Sequence, residues 1–318
     1  MVLVLYLQKY PISELEESMV ALSRKFRFSS LVAGATFVAV TSSSPEFGTA
    51  FAGVVFEKTF EIGFQAIVWS AIFNILVITG ASGIVSPEPI KIDTLILKRD
   101  ILCYVIVLVF FLFFALNKTI VWWENLCLIL LYFIYLYFLS LENGTGKING
   151  KDLSRKEIIQ KGIIGLGGVL IASSLLVELG VMSLDYLSDL LNMMIPFSVV
   201  ACTFWGPGTS IVDLGMSINL SKKGLGDAGV VNGIASNTFD VAICLGFNGL
   251  LYNLLVGPID MNITSNYYLL FMLGFSIVIV TALLHFRKKL HRFESWLLLI
   301  VFLIMLIAQI FLAFKYGY

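Results

Sequence analysis

The sequence has 318 residues, 58% hydrophobic and 13% charged, with 21 basic residues against 21 acidic ones and a mean hydropathy of +0.93. Together with several apolar runs near or beyond about 18 residues, this excludes a soluble domain and gives an all-α polytopic membrane protein surrounded by a lipid bilayer. Zero net charge leaves no basic field for nucleic acid and no acidic tail.

In chain order, the opening MVLVLYLQKYP has too short an apolar core, and no basic leader or small-residue cleavage site, for a signal peptide. The apolar runs predict about ten spans: 2–23, 29–56, 62–86, 100–117, 119–141, 162–186, 194–220, 228–256, 266–286 and 294–314. The first is the weakest, because it carries Pro11 and the acids Glu14, Glu16 and Glu17. Trp122, Trp123 and Trp296 near span ends read as interfacial anchors, and the SPEP at 86–89 as a turn. Cys103, Cys127, Cys202 and Cys244 lie in or beside apolar runs without CxxC spacing, so they read as small buried hydrophobes. The outer-loop triplet Asn262-Ile263-Thr264 is a glycosylation pattern that decides nothing without a known compartment.

Loop charge sets the orientation. Placing the 142–161 loop in the cytoplasm leaves only Lys9, Lys58, Lys118 and Lys315 of the 21 basic residues for the other face. By the positive-inside rule both termini then lie outside. The same loop divides the chain into 1–141 and 162–318, each with five spans. Since five is odd, the second half enters the membrane with opposite polarity, as two inverted five-helix repeats.

The two halves share a pattern. TSSSPEF at 41–47 and GTSIVD at 208–213 each put hydroxyls three and four residues before an acid: Ser42 and Ser43 before Glu46, Thr209 and Ser210 before Asp213. One span later Ser70 stands four before Asn74, and Ser236 four before Asp240. Residues three and four apart share a helix face, so each half builds two oxygen-rich stripes. Carboxylate, hydroxyl and carbonyl oxygens suit hard cations; no Cys/His cluster for zinc or copper is present. His285 and His291 both fall in one predicted loop. Pro45 and the run Gly206, Pro207, Gly208 predict interrupted helices that turn backbone carbonyls inward. A lipid-facing carboxylate at the bilayer centre costs about 2.5–3.5 kcal/mol, so Glu46 is expected to face the bundle interior. Glu178 reads as structural.

These stretches resemble a known family. GTSIVDLGMSINLSKKGLGDAGVVNGIASNTFD is similar to the second repeat of the sodium/calcium exchangers, and its KKGLGD link and Asp240 to their potassium-dependent branch; GATFVAVTSSSPEF followed by SAIFNI and VSP resembles the first repeat. The resemblance is specific over about 34–90 and 198–246. It implies a membrane cation antiporter exchanging calcium for sodium, with potassium as a candidate co-ion, by alternating access. It further implies Glu46 and Asp213 as central calcium ligands, and Ser42, Ser43, Thr209, Ser210 and the backbone at Ala39 and Gly206 as further oxygens. Ser70, Asn74, Ser236 and Asp240 would flank them as sodium positions, and spans one and six would slide over the rest.

The sequence departs from the family pattern at Thr41, Ser42, Trp69, Val212 and Ala235. Trp69 stands where close helix approach calls for glycine, and must point away or narrow the site. No cofactor is expected, only the transported ions Ca2+, Na+ and K+ as small-cation partners. No nucleophile–base pairing, phosphate loop or metal-protease spacing suggests an enzyme. Two alternatives stay open: an exchanger of another divalent cation or one driven by protons, and a degenerate, non-transporting membrane partner.

Overall fold

The computed structural model describes residues 2–25, 39–91, 94–141, 153–261, 264–287 and 289–316. Most of the 142–161 loop, the start of the second predicted span, and Asn262 and Ile263 lie outside the described residues. The described residues form helices in ten successive segments that follow the ten predicted spans. Five of these are long and apolar enough to cross a membrane. The first segment carries acids and Pro11, and the second and seventh are interrupted.

Helix α1 (Val2–Lys25) lies antiparallel along α6 (Arg155–Leu191). A Cβ at Gly168 would stand 2.6 Å from Pro11 and one at Gly165 2.6 Å from the Leu15 nitrogen, so both glycines are where the backbones nearly touch. Lower on the pair, the Ser18 hydroxyl donates to the Ile158 carbonyl at 2.8 Å, and Lys161 meets Glu14 at 2.9 Å and Glu17 at 3.0 Å. Two of the acids that weaken the first span's hydropathy, Glu14 and Glu17, are thus partners for a lysine of α6. Helix α6 opens on a reciprocal capping box between Ser154 and Glu157, so the helix begins within the stretch predicted as loop. Its 37 residues span about 55 Å at 1.5 Å per residue, well beyond the hydrocarbon thickness.

Helix α2 comprises Ala39–Ser42 and Ser44–Val55, interrupted at Ser43. Helix α3 runs Glu61–Phe73, a π-helical turn Asn74–Ile78, then Thr79–Val85. After α4 (Thr94–Ala115) and α5 (Trp122–Leu141), the pattern repeats beyond α6. Helix α7 is Phe197–Val200, a π turn Ala201–Trp205, Gly206–Thr209 and, past an interruption at Ser210, Ile211–Lys222. Helix α8 is Gly226–Phe239, a π turn Asp240–Leu245 and Gly246–Leu255. Helices α9 (Thr264–Arg287) and α10 (Arg292–Tyr316) complete the chain.

Inversion is visible in how the halves meet. Ile90, just past α3, packs on Gly226 at the start of α8, so these two central helices are antiparallel. Two short antiparallel ladders tie the ends crosswise: β1 (Ile90–Lys91) after α3 pairs with β4 (Lys289–Leu290) between α9 and α10, while β3 (Ile259–Asp260) after α8 pairs with β2 (Thr119–Ile120) between α4 and α5. Each half lends its post-third-helix strand to the other half's last hairpin. Helix α3 is almost wholly buried and α8 mostly so, whereas α5, α6 and α10 expose most of their surface. That exposure is apolar, including Phe133, Ile171, Ile304 and Phe311, as a lipid-facing surface requires.

Candidate cation site

The interruptions in α2 and α7 fall at matching positions. Ser43 has φ −92°, ψ 8° and Ser210 has φ −76°, ψ 0°, so ψ opens to near zero at both, while their amides still bond back to the Ala39 and Gly206 carbonyls at 2.9 and 3.3 Å. In α2 Pro45 follows the break; in α7 Pro207 precedes it and Val212 stands at the position equivalent to Pro45. The break survives that change. The Ser42 hydroxyl bonds back to the Ala39 carbonyl at 3.5 Å and that of Thr209 to the Gly206 carbonyl at 3.0 Å, the same local device in both halves.

Around these breaks, all ten side chains singled out from the sequence come together at the centre, where α2, α3, α7 and α8 meet. Glu46, Asp213, Asp240, Asn74, Ser43, Ser70, Thr209 and Ser210 are fully buried, and Ser42 and Ser236 nearly so. Glu46 and Asp213 stand close enough to repel one another, and Asp240 feels both.

The hydroxyls are shared crosswise. Ser42 of the first half stands beside Asp213, and Thr209 of the second beside Glu46. Ser70 donates to Glu46 Oε1 at 2.9 Å, and Ser236 stands beside Asp213, so each acid also has a hydroxyl from its own half. Ser70 and Ser210 hydroxyls lie 2.6 Å apart, and Ser43 faces Asp240. The Asn74 amide donates to Ser236 at 3.2 Å and to Asn237 Oδ1 at 3.0 Å, while Asn237 in turn donates to the Ala71 carbonyl at 3.3 Å.

One oxygen of each acid has no protein partner: Glu46 Oε2, Asp213 Oδ2 and Asp240 Oδ2, all in wholly buried residues. The Asn74 Oδ1 and Ser43 Oγ atoms are unpaired too. Buried acceptors are almost always satisfied, and a buried carboxylate oxygen left alone is costly. Five such oxygens around one centre make a charged acceptor set that a cation can complete. Among the described residues no three His, Cys, Asp or Glu side chains lie close enough to hold one metal ion alone. An ion here takes much of its shell from hydroxyl, amide and backbone oxygens.

Trp69 does not enter this centre. Its ring is buried and meets Phe302 of α10 edge-on, 6.4 Å between centroids at 83°. Close approach is secured from the other side instead: a Cβ at Gly206 would lie 2.5 Å from Trp69 Cβ and 3.0 Å from the Ser70 nitrogen. Gly206 is the small residue of that crossing, which lets Ser70 reach Ser210. Glu178 is exposed on α6, at a groove of about 440 Å³ that also includes Phe51 and Glu57, away from the centre. Ser86 and Glu88 form the predicted turn, with Ser86 Oγ donating to the Glu88 carbonyl at 2.7 Å.

Sequence reasoning missed three neighbours. Asn232 donates to Asp213 Oδ1 at 3.4 Å; Asn237 bridges the halves; the Cys244 thiol lies 3.8 Å from Asp240 Oδ1. Asn232 and Cys244 stand four residues from Ser236 and Asp240, so the same-face rule that found those two contained the signal.

Residues 3–141 and 161–311 match the family described as Sodium/calcium exchanger protein. The chain is 33% identical over 143 residues to Sodium/potassium/calcium exchanger 2 of Homo sapiens, covering 45% of this chain and 22% of that protein. With Sodium/potassium/calcium exchanger 3 of Rattus norvegicus it shares 36% over 123 residues, 39% of this chain and 20% of that one. The matched region therefore spans about a fifth of these relatives' length. A solved structure of the sodium-calcium exchanger NCX_Mj, soaked with 2.5 mM Na+ and 10 mM Sr2+, superposes with a TM-score of 0.61 at 28% identity, covering 95% of each chain. A second, soaked with 100 mM Na+ and 10 mM Sr2+, gives 0.60 at 26% identity. By the match across both halves, this chain belongs to the sodium/calcium exchanger protein family.

Proposed function

We propose that the protein is a membrane antiporter exchanging calcium for sodium, with potassium as co-ion, by alternating access around the central acids. The observation that carries this is the set of unpaired, buried oxygens on Glu46, Asp213 and Asp240. Three adjacent buried carboxylates repel when ionised and empty, so positive charge must fill the site. One calcium or several sodium ions can each do so, and they exclude one another. If only the neutralised centre passes between its two faces, ion movement is coupled.

In this reading Glu46 and Asp213 hold calcium, with Ser42, Ser43, Thr209 and Ser210 and the backbone at Ala39 and Gly206 as further oxygens. Ser70, Asn74, Ser236 and Asp240 take the flanking sodium positions. The relatives' names and Asp240 support potassium. The halves 1–141 and 162–318 act as the two repeats, the α1–α6 pair slides over the others, and the charge of the loops puts both termini outside. The protein acts as a transporter and not as an enzyme.

The test is radioactive calcium uptake into proteoliposomes under imposed sodium, potassium or proton gradients. Uptake that follows an outward sodium gradient supports the reading. Uptake driven by a pH gradient alone overturns it, and so does a protein that takes up no calcium under any gradient.

A further inference from the structure

The two halves match at the centre and differ beyond it. Past Asp213, α7 continues with Ser217 and Ser221 at four-residue steps, both fully buried. The Asn232 amide spans from Asp213 Oδ1 at 3.4 Å to Ser217 Oγ at 3.1 Å. Beyond it a Cβ at Gly229 would stand 2.5 Å from Ser221 Oγ, 2.8 Å from the Ser217 carbonyl and 3.2 Å from Ser82 Oγ. Three oxygens from α3 and α7 thus border the bare face of one glycine. Ser82 Oγ and Ser221 Oγ are both buried without a hydrogen-bond partner, as is Thr79 Oγ1 one turn up α3. The row leads toward a cavity of about 430 Å³ lined by Ser86, Glu88, Lys91, Gly224 and Asp227, at the end of the molecule that carries Lys222 and Lys223.

The fold does not require these hydroxyls. The positions equivalent to Ser217, Ser221 and Asn232 in the first half are Ala50, Val54 and Ala66. There a Cβ at Gly63 would stand 2.6 Å from the Ala50 Cα and Cβ, the same crossing closed by apolar groups. Asn248, equivalent to Ser82, donates its amide to the Phe47 and Cys244 carbonyls at 3.4 and 2.8 Å, and only its Oδ1 is left without a partner. A buried hydroxyl with no partner is destabilising unless something visits it.

We propose that Ser82, Ser217, Ser221 and Asn232 form a station for a monovalent cation, sodium, between Asp213 and the face bearing Lys222 and Lys223. Its oxygens are neutral and its only carboxylate, Asp213, stands at one end. Neutral oxygens fit a singly charged ion, whereas a divalent one seeks several carboxylates. The station serves release and entry at that face alone, because the equivalent crossing has Ala50, Val54 and Ala66 in place of three of its four polar groups. This rests on the exchange reading above, and the experiment separates the two.

Ser82→Ala and Ser221→Ala are reconstituted in the full chain. Calcium flux is followed while sodium is titrated separately on each side, and thermal unfolding is followed without ions and with sodium alone. The station predicts that the apparent sodium affinity falls about fivefold from the Lys222 side, with calcium affinity and sodium affinity from the other side unchanged. It also predicts an ion-free thermal midpoint that stays level or rises, since an unsatisfied hydroxyl is removed. Unchanged sodium affinity on both sides overturns the station. So does an ion-free midpoint that falls with affinity intact, which marks a packing role. If the wild-type protein moves no calcium, the exchange reading fails by itself. The sodium-induced thermal shift then decides the station, which stands if that shift shrinks in both variants and falls if it does not.

Discussion

Glu46→Gln tests the charge of the site with little change of shape. In the native protein Glu46 Oε1 accepts from Ser70 at 2.9 Å while Oε2 has no partner. Glutamine keeps an acceptor for Ser70 and puts an uncharged amide where the unpaired oxygen stood. Two opposite effects follow. Without ions, the variant loses a buried, uncompensated charge beside Asp213, so its stability rises by about 1–3 kcal/mol. With calcium, a charged ligand is gone, and affinity falls about 100-fold, the scale of a lost charge-assisted contact. Calcium at 100 times the wild-type Kd stabilises the wild type by about 2.7 kcal/mol, whereas the same concentration stabilises the variant by only about 0.4 kcal/mol. Thermal unfolding of the purified protein, followed by intrinsic fluorescence across a calcium titration, reads both. A variant that is less stable without ions, yet gains as much from calcium as the wild type, would refute the reasoning.

Other substitutions follow from the same geometry. Ser42→Ala and Thr209→Val each remove a hydroxyl from beside the other half's acid, and each lowers calcium affinity about five- to tenfold in equilibrium binding; an effect from one but not the other would contradict the crosswise pairing. Gly206→Ala places a methyl 2.5 Å from Trp69 Cβ, forcing α3 and α7 apart; it costs about 1–3 kcal/mol in thermal unfolding and reduces calcium uptake. Trp69→Phe leaves calcium affinity within about twofold because the ring faces Phe302, and lowers only the thermal midpoint; a large loss of affinity would place Trp69 in the site. Gly165→Leu drives a side chain into the Leu15 backbone and separates α1 from α6, detected as loss of a Pro11–Gly168 cysteine cross-link.

Much of this was legible in the sequence because two different periodicities coincided. Apolar runs gave the ten segments, and four-residue spacing put Ser42, Glu46, Thr209 and Asp213 on inward faces twice over, so the repeat checked itself. What escaped depended on partners distant in the chain. The acids of the first helix counted against a span, yet Glu14 and Glu17 have Lys161 on α6, 147 residues from Glu14. Trp69 looked obstructive because a helix crossing has two sides, and the small residue needed there is Gly206 on the other. Val212 departs from the family pattern, yet the interruption at Ser210 forms with valine there. The π turns at Asn74 and Asp240 have no sequence signal in composition or spacing; they begin at two of the polar residues that reach the centre, and such turns are frequent at functional sites.

The most direct test is anomalous scattering from crystals soaked in strontium or calcium. The account predicts one strong peak at the meeting of α2 and α7, within ligand distance of Glu46 and Asp213 and of hydroxyl or carbonyl oxygens from both halves, that is lost in Glu46→Gln. A peak bound by only one half, or none at the centre while strontium binds elsewhere, would contradict it.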